Sequence, residues 1–71
     1  MGRVEAMKVR EAIAAVEADG WRLVASRGDH RQYKHPTKLG RVTIPGHPND
    51  ELHPKTRDSI FRQAGLRKPR R

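Results

Sequence analysis

The apolar residues of this chain change period twice, and those changes constrain its fold more than any single motif. Val9, Ala12, Ile13 and Val16 fall at i, i+3, i+4 and i+7, the spacing of one helix face. From Trp21 to Ser26 the period becomes two, with Trp21, Leu23 and Ala25 alternating with Arg22, Val24 and Ser26. Two more short strands follow, one around Tyr33 and one bearing Val42 and Ile44, before Ile60, Phe61 and Ala64 restore a helical stripe.

Turn residues separate these segments. A first helix is predicted from Lys8 to Asp19, ended by Gly20 in a left-handed cap. Arg27-Gly28-Asp29 reads as a turn, with Gly28 supplying the positive φ, and the second strand runs from His30 to His35. Pro36 to Gly40 turns the chain into a strand from Arg41 to Ile44, which Pro45-Gly46-His47-Pro48 stops. Leu52 anchors the next loop, Pro54 opens a second helix, and Gly65-Leu66 closes it as C′ and C″ of a Schellman cap. The predicted order is α-β-β-β-α. Helix stripes and a sheet face must bury each other, so an α+β fold is expected: a three-stranded antiparallel sheet with both helices on one face.

The chain has 71 residues, 34% of them hydrophobic and none cysteine. A domain of this size buries only about 60% of the surface its unfolded chain exposes, and no disulfide can staple it. We expect a single domain over residues 7–66, an N-terminal extension over 1–6 and a basic disordered tail over 67–71. No apolar run approaches the roughly 18 residues of a membrane span, and the N-terminus lacks the apolar region of a secretory signal. A cytoplasmic location is the expectation.

The net charge of +8 is unevenly placed: residues 1–19 carry −1, residues 20–66 carry +5 and the tail +4. Between Trp21 and Arg41 the bases Arg22, Arg27, Arg31, Lys34, Lys38 and Arg41 face a single acid, Asp29. Such a surface suits a polyanion, because each neutralised phosphate releases counterions. The plainer reading is a solvated surface that keeps a small protein soluble. Trp21 and Tyr33 read as core rather than as base-stacking platforms, since only three aromatic residues exist to build a core.

Four histidines, at 30, 35, 47 and 53, are the candidates for chemistry. If the turn between the second and third strands centres near Lys38, His30 falls opposite Gly46 or His47, with paired Cβ atoms about 5 Å apart. RNA carries its own nucleophile in the 2′-OH. Cleavage then needs a base, an acid and a cation near the phosphate, and histidine can serve as base or acid. Arg27 or Arg31 could stabilise the charge that develops on phosphorus. No metal or other cofactor is expected, because no carboxylate cluster accompanies the histidines apart from Asp50-Glu51 in a loop. His35 reads as a turn residue before Pro36, and His53 as a helix-entry residue before Pro54.

The runs Gly20-Trp21, Arg27-Gly28-Asp29-His30-Arg31-Gln32-Tyr33-Lys34-His35-Pro36, Val42-Thr43-Ile44-Pro45-Gly46-His47-Pro48, Glu51-Leu52, Ser59-Ile60 and Gln63-Ala64-Gly65-Leu66 occur in this order. Together they resemble the HicA family of toxins over about residues 7–66. The resemblance implies a double-stranded-RNA-binding-like fold and a metal-independent mRNA interferase, an endoribonuclease that arrests translation. It places the family's catalytic histidine, that of a Gly-Ser-His motif, at His30, with Asp29 where Ser is usual. A carboxylate at that position can hold the imidazole in one tautomer or repel phosphate. His47 matches a Pro-x-His segment of the family, and its catalytic role is inferred from the hairpin alone. The remaining RNA contacts are expected from Arg27, Arg31, Lys34, Lys38 and Arg41. The resemblance also implies a HicB-like antitoxin that masks His30. A non-catalytic RNA-binding module and a ribosome-associated structural protein are the alternatives.

Overall fold

The computed structural model describes residues 7–67, and the expected extension over 1–6 and most of the expected tail lie outside the described residues. Helix α1 spans Val9–Ala18, strands β1, β2 and β3 span Arg22–Arg27, His30–Lys34 and Val42–Pro45, and helix α2 spans Pro54–Gln63. The strands form one antiparallel sheet in the order β1-β2-β3. This is the expected α+β, double-stranded-RNA-binding-like arrangement. No described helix is long and apolar enough to cross a membrane.

Each helix end is satisfied by a partner that the sequence supplies. The first N–H groups of α1 have no intrahelical acceptor, and the loop before α2 provides them: Val9 N–H donates to Asp50 O at 2.9 Å and Arg10 N–H to Pro48 O at 3.0 Å. Leu52 N–H donates to Met7 O at 2.8 Å, so the loop that Leu52 anchors is tied to the start of the first helix. At the start of α2, Pro54 takes the first helical position and the His53 ring accepts from Lys55 N–H at 3.1 Å. At its end, Leu66 N–H reaches Phe61 O and Gly65 N–H reaches Arg62 O, the paired bonds of a Schellman cap.

The core is Val9, Ala12 and Val16 from α1, Trp21, Tyr33 from β2, Val42 and Ile44 from β3, Leu52, and Ile60, Phe61 and Ala64 from the α2 end. Both helices pack on β3. Strand β1, at the far edge, lies beyond them, and every one of its residues is exposed. The expected single apolar face of that strand is therefore not present. Leu23 pairs with Tyr33 but Ala25 pairs with Gln32, so the register shifts between them and Val24 is the extra residue of a β-bulge. Leu23 and Ala25 thus belong to opposite faces, and Leu23 stays 50% exposed where no helix covers it.

His35 is a structural residue rather than a simple turn residue. Its Nδ1 accepts from Thr37 N–H at 3.0 Å and Lys38 N–H at 3.2 Å, which leaves the proton on Nε2 to donate to Asp19 O at 2.7 Å. The ring stands edge-on to Trp21 with centroids 5.3 Å apart. Gly20, at φ +105°, must be glycine twice over: the conformation is strained for other residues, and a Cβ there would meet His35 Nε2 at 2.9 Å.

Beside this ring the Lys38 ammonium donates to the Asp19 carboxylate and, at 3.1 Å, to Ala64 O at the end of α2. The hydrogen bond from Lys38 is the main reason the Asp19 carboxyl is held below its ordinary range, and the Lys38 charge adds to it. A depressed folded-state value stabilises the fold fully above the ordinary carboxylate value and is lost as pH falls through the folded one. The wild-type Tm is therefore expected to carry an acid-limb drop, beginning below about pH 4, that Lys38→Met makes shallower. Thermal unfolding from pH 7 to pH 2 on both proteins tests this, and equal acid limbs would contradict it.

Candidate active site

The uncovered face of the sheet gathers the functional side chains through a short sequence of local causes. Gly28, with φ 58°, and Asp29 are the two central residues of the hairpin between β1 and β2, and glycine in the first of them is what a type II′ turn requires. That tight turn sets Arg27 directly opposite His30. Paired residues share a face, so the guanidinium and the imidazole rise side by side from neighbouring strands. Asp29, adjacent to His30 in the chain, places Oδ1 at 2.9 Å from His30 Nδ1.

An ionised carboxylate only accepts, so this contact keeps the proton of the neutral ring on Nδ1. Nε2 is left with its lone pair and makes no hydrogen bond to a described residue. The side chain is 59% exposed. It borders a cavity of about 540 Å³ on the open face, lined by Ala25, Ser26, Arg27, His30, Gln32 and Thr43. Such an arrangement can accept a proton beside an anion that Arg27 attracts.

The second hairpin has a different register from the expected one. His30 pairs with Pro45, and Gly46 N–H donates to Asp29 O at 2.8 Å, so neither Gly46 nor His47 is the partner of His30. The cause is the connection after β2, which centres midway between Thr37 and Lys38 rather than on Lys38. Arg31 reinforces the pairing by donating from its guanidinium to Gly46 O at 2.8 Å. His47 is exposed in the loop after β3, where its backbone N–H is held by Asp50 Oδ2 at 3.0 Å. It lines neither of the two cavities that His30 borders.

The other expected phosphate contacts divide. Arg27 is exposed at the site, and Lys34 is exposed at the far end of β2, paired with Arg22. Arg41 is exposed and reaches Gln32 Oε1 at 2.6 Å, so it joins the open face through that amide. Arg31 points to the covered side, in register with buried Ile44. Lys38 is drawn away from the face by Asp19 and the α2 end. Gln32 and Thr43 were not anticipated as site residues. Gln32 could have been found by period, since it stands two residues after His30 on one strand. Thr43 needed the correct register, which pairs it with Gln32.

Tyr33 and Trp21 are buried, as expected, and burial raises the Tyr33 phenol above its ordinary value. The Trp21 indole N–H makes no hydrogen bond to a described residue, although it lies close enough to Asp19 to favour the carboxylate there. Among the described residues no three His, Asp or Glu side chains gather as metal ligands would.

No curated protein sequence gives a significant match to the chain. A family model does: the one described as HicA toxin of bacterial toxin-antitoxin matches residues 9–66, from the first residue of α1 to the Schellman cap of α2. With helices, sheet and the His30 turn all inside that match, the chain belongs to the HicA toxin family of bacterial toxin–antitoxin systems.

Proposed function

We propose that this toxin is an endoribonuclease that cleaves messenger RNA in the cytoplasm, without a metal, and that His30 is its proton-transfer residue. The observation that carries the reading is the His30 imidazole itself: exposed, fixed through Nδ1 by Asp29, and paired across the hairpin with Arg27. With Nδ1 protonated, Nε2 takes the proton of the ribose 2′-OH as its oxygen attacks phosphorus. Asp29 stabilises the imidazolium that results. Arg27, on the adjacent strand, neutralises the charge that builds on the phosphate oxygens. Lys34 and Arg41 farther along the open face hold the flanking backbone.

Toxin and antitoxin form a pair in such systems, and a HicB-like antitoxin would silence the enzyme most directly by covering His30. A basic open face next to an exposed imidazole suits an acidic partner surface.

The test is an incubation of purified protein with end-labelled single-stranded RNA in the presence of EDTA. Discrete fragments support the nuclease; salt-sensitive retention of intact RNA would instead mark a binding module. His47 takes no part in this proposal, because the observed register does not pair it with His30 and it lines neither cavity that His30 borders. A general acid or base contributes about 10²–10⁴-fold, so a His47→Ala variant is expected to cut within about threefold of the wild-type rate. A tenfold or greater loss in the same assay would return His47 to the mechanism.

A further inference from the structure

His30 borders a second cavity besides the one it shares with Arg27. This cleft, of about 340 Å³, lies between β3 and α2. Thr43 and Pro45 form its strand wall, and Lys55, Thr56, Ser59, Ile60 and Gln63 its helix wall. Thr43 and His30 belong to both cavities and so form the rim between them.

In an in-line displacement the attacking and leaving oxygens lie on opposite sides of phosphorus. A phosphodiester held at His30 must therefore send one nucleoside to each side of it, and two cavities meeting at one imidazole provide that room. The group that takes the 2′-OH proton on one side is badly placed to protonate the oxygen on the other, so the leaving side needs its own donor.

We propose that the cleft between β3 and α2 receives the departing nucleoside and that Lys55 protonates its 5′-oxygen; this rests on the ribonuclease reading above. Apart from His30, Lys55 is the only ionisable side chain among the residues lining the cleft. Its position is fixed from the backbone: Pro54 begins α2, and the His53 ring holds the Lys55 N–H at 3.1 Å. Its exposed ammonium makes no hydrogen bond or ion pair with a described residue, unlike that of Lys38. The rest of the lining joins the apolar Pro45 and Ile60 to the polar Thr43, Thr56, Ser59 and Gln63. Gln63 Oε1 accepts from Thr43 N–H at 3.2 Å and Gln63 Nε2 donates to Ser59 Oγ at 3.0 Å. The hydroxyl and amide groups suit a ribose and a base edge, and Pro45 and Ile60 offer apolar surface to a base ring.

The step balances within the chain. The bond between the 2′-oxygen and phosphorus forms as that between phosphorus and the 5′-oxygen breaks. His30 Nε2 gains the 2′-OH proton, the 5′-oxygen takes one from Lys55, and water returns both groups to their starting states.

The test uses the RNA site that the wild type is found to cut, synthesised in two forms, with the natural 5′-oxygen or with sulfur as the leaving atom. A thiolate departs without a proton. Lys55→Gln is expected to slow the oxygen substrate by about 100-fold and the sulfur substrate by no more than about threefold, whereas His30→Ala slows both. Equal losses by Lys55→Gln on the two substrates, or no loss on either, would overturn the assignment while leaving the ribonuclease intact. If the wild type cuts no RNA, the ribonuclease reading fails and this inference with it. Circular dichroism of the variant confirms that exchanging an exposed side chain leaves the fold unchanged.

Discussion

RNA cleavage by a His30→Ala variant is expected to fall by at least about 100-fold, the lower bound of what a positioned acid–base group contributes. The fold should be untouched. His30 is exposed, stands on the open face, and among the described residues its side chain makes a polar contact only with Asp29, itself about half exposed. Far-ultraviolet circular dichroism and Tm should match the wild type, and binding of uncleaved RNA should persist through Arg27, Lys34 and Arg41. Retained binding with lost cutting separates a proton-transfer role from a contribution to affinity. A variant that still cuts at the wild-type rate, in a preparation free of contaminating nuclease, would remove the imidazole from the chemistry. Loss of both cutting and binding would make it an RNA contact instead.

Trp21→Ala should have the largest effect on stability. Removing a buried aromatic side chain costs about 3–5 kcal/mol. A chain of 71 residues has, at about 0.05–0.15 kcal/mol per residue, a total of about 4–11 kcal/mol to lose. Trp21 is 1% exposed and supports the edge of the His35 ring, which in turn holds the Asp19 carbonyl and the turn after β2. The variant is expected to unfold by about 2 M urea or less and to be partly unfolded without denaturant at 37 °C. Trp21→Phe is the informative companion. It removes less volume and also deletes a buried indole N–H that makes no hydrogen bond to a described residue, so its cost should be nearer about 1–2 kcal/mol. Chemical denaturation followed by circular dichroism measures both. An alanine variant as stable as the wild type would show that the Trp21–His35 pair does not organise this end of the domain.

Elements governed by neighbours in sequence could be read from the sequence. The α1 stripe, the Pro54 start, the Gly65-Leu66 cap and the Gly28-Asp29 turn each depend on residues within about four positions, and each stands where the pattern put it. Pairing across the longer connection after β2 does not depend on such neighbours. Tyr33 needs an apolar partner, which admits Val42 or Ile44 but not Thr43; closure of the connection selects Val42, and His30 then meets Pro45. The role of Lys38 was hidden for a similar reason. Its partners, Asp19 and Ala64, are 19 and 26 residues away, and only the packed helices bring them within reach. The catalytic candidate was visible because His30 follows the Gly28-Asp29 turn at the position of the family's Gly-Ser-His motif. The cleft with Lys55 was not, because its two walls come from β3 and α2 and meet only in three dimensions.

The unpaired residue at Val24 allows one strand to serve two masters. Counted from the turn, strict alternation would bring Arg27, Ala25, Leu23 and Trp21 to one side of the sheet, so that a cation aimed at phosphate would drag the indole out into water. One surplus residue resets the phase midway. Trp21 can then be buried while Arg27 remains beside His30, which leaves the chemistry at the tip of the hairpin free to vary without disturbing the packing at its base.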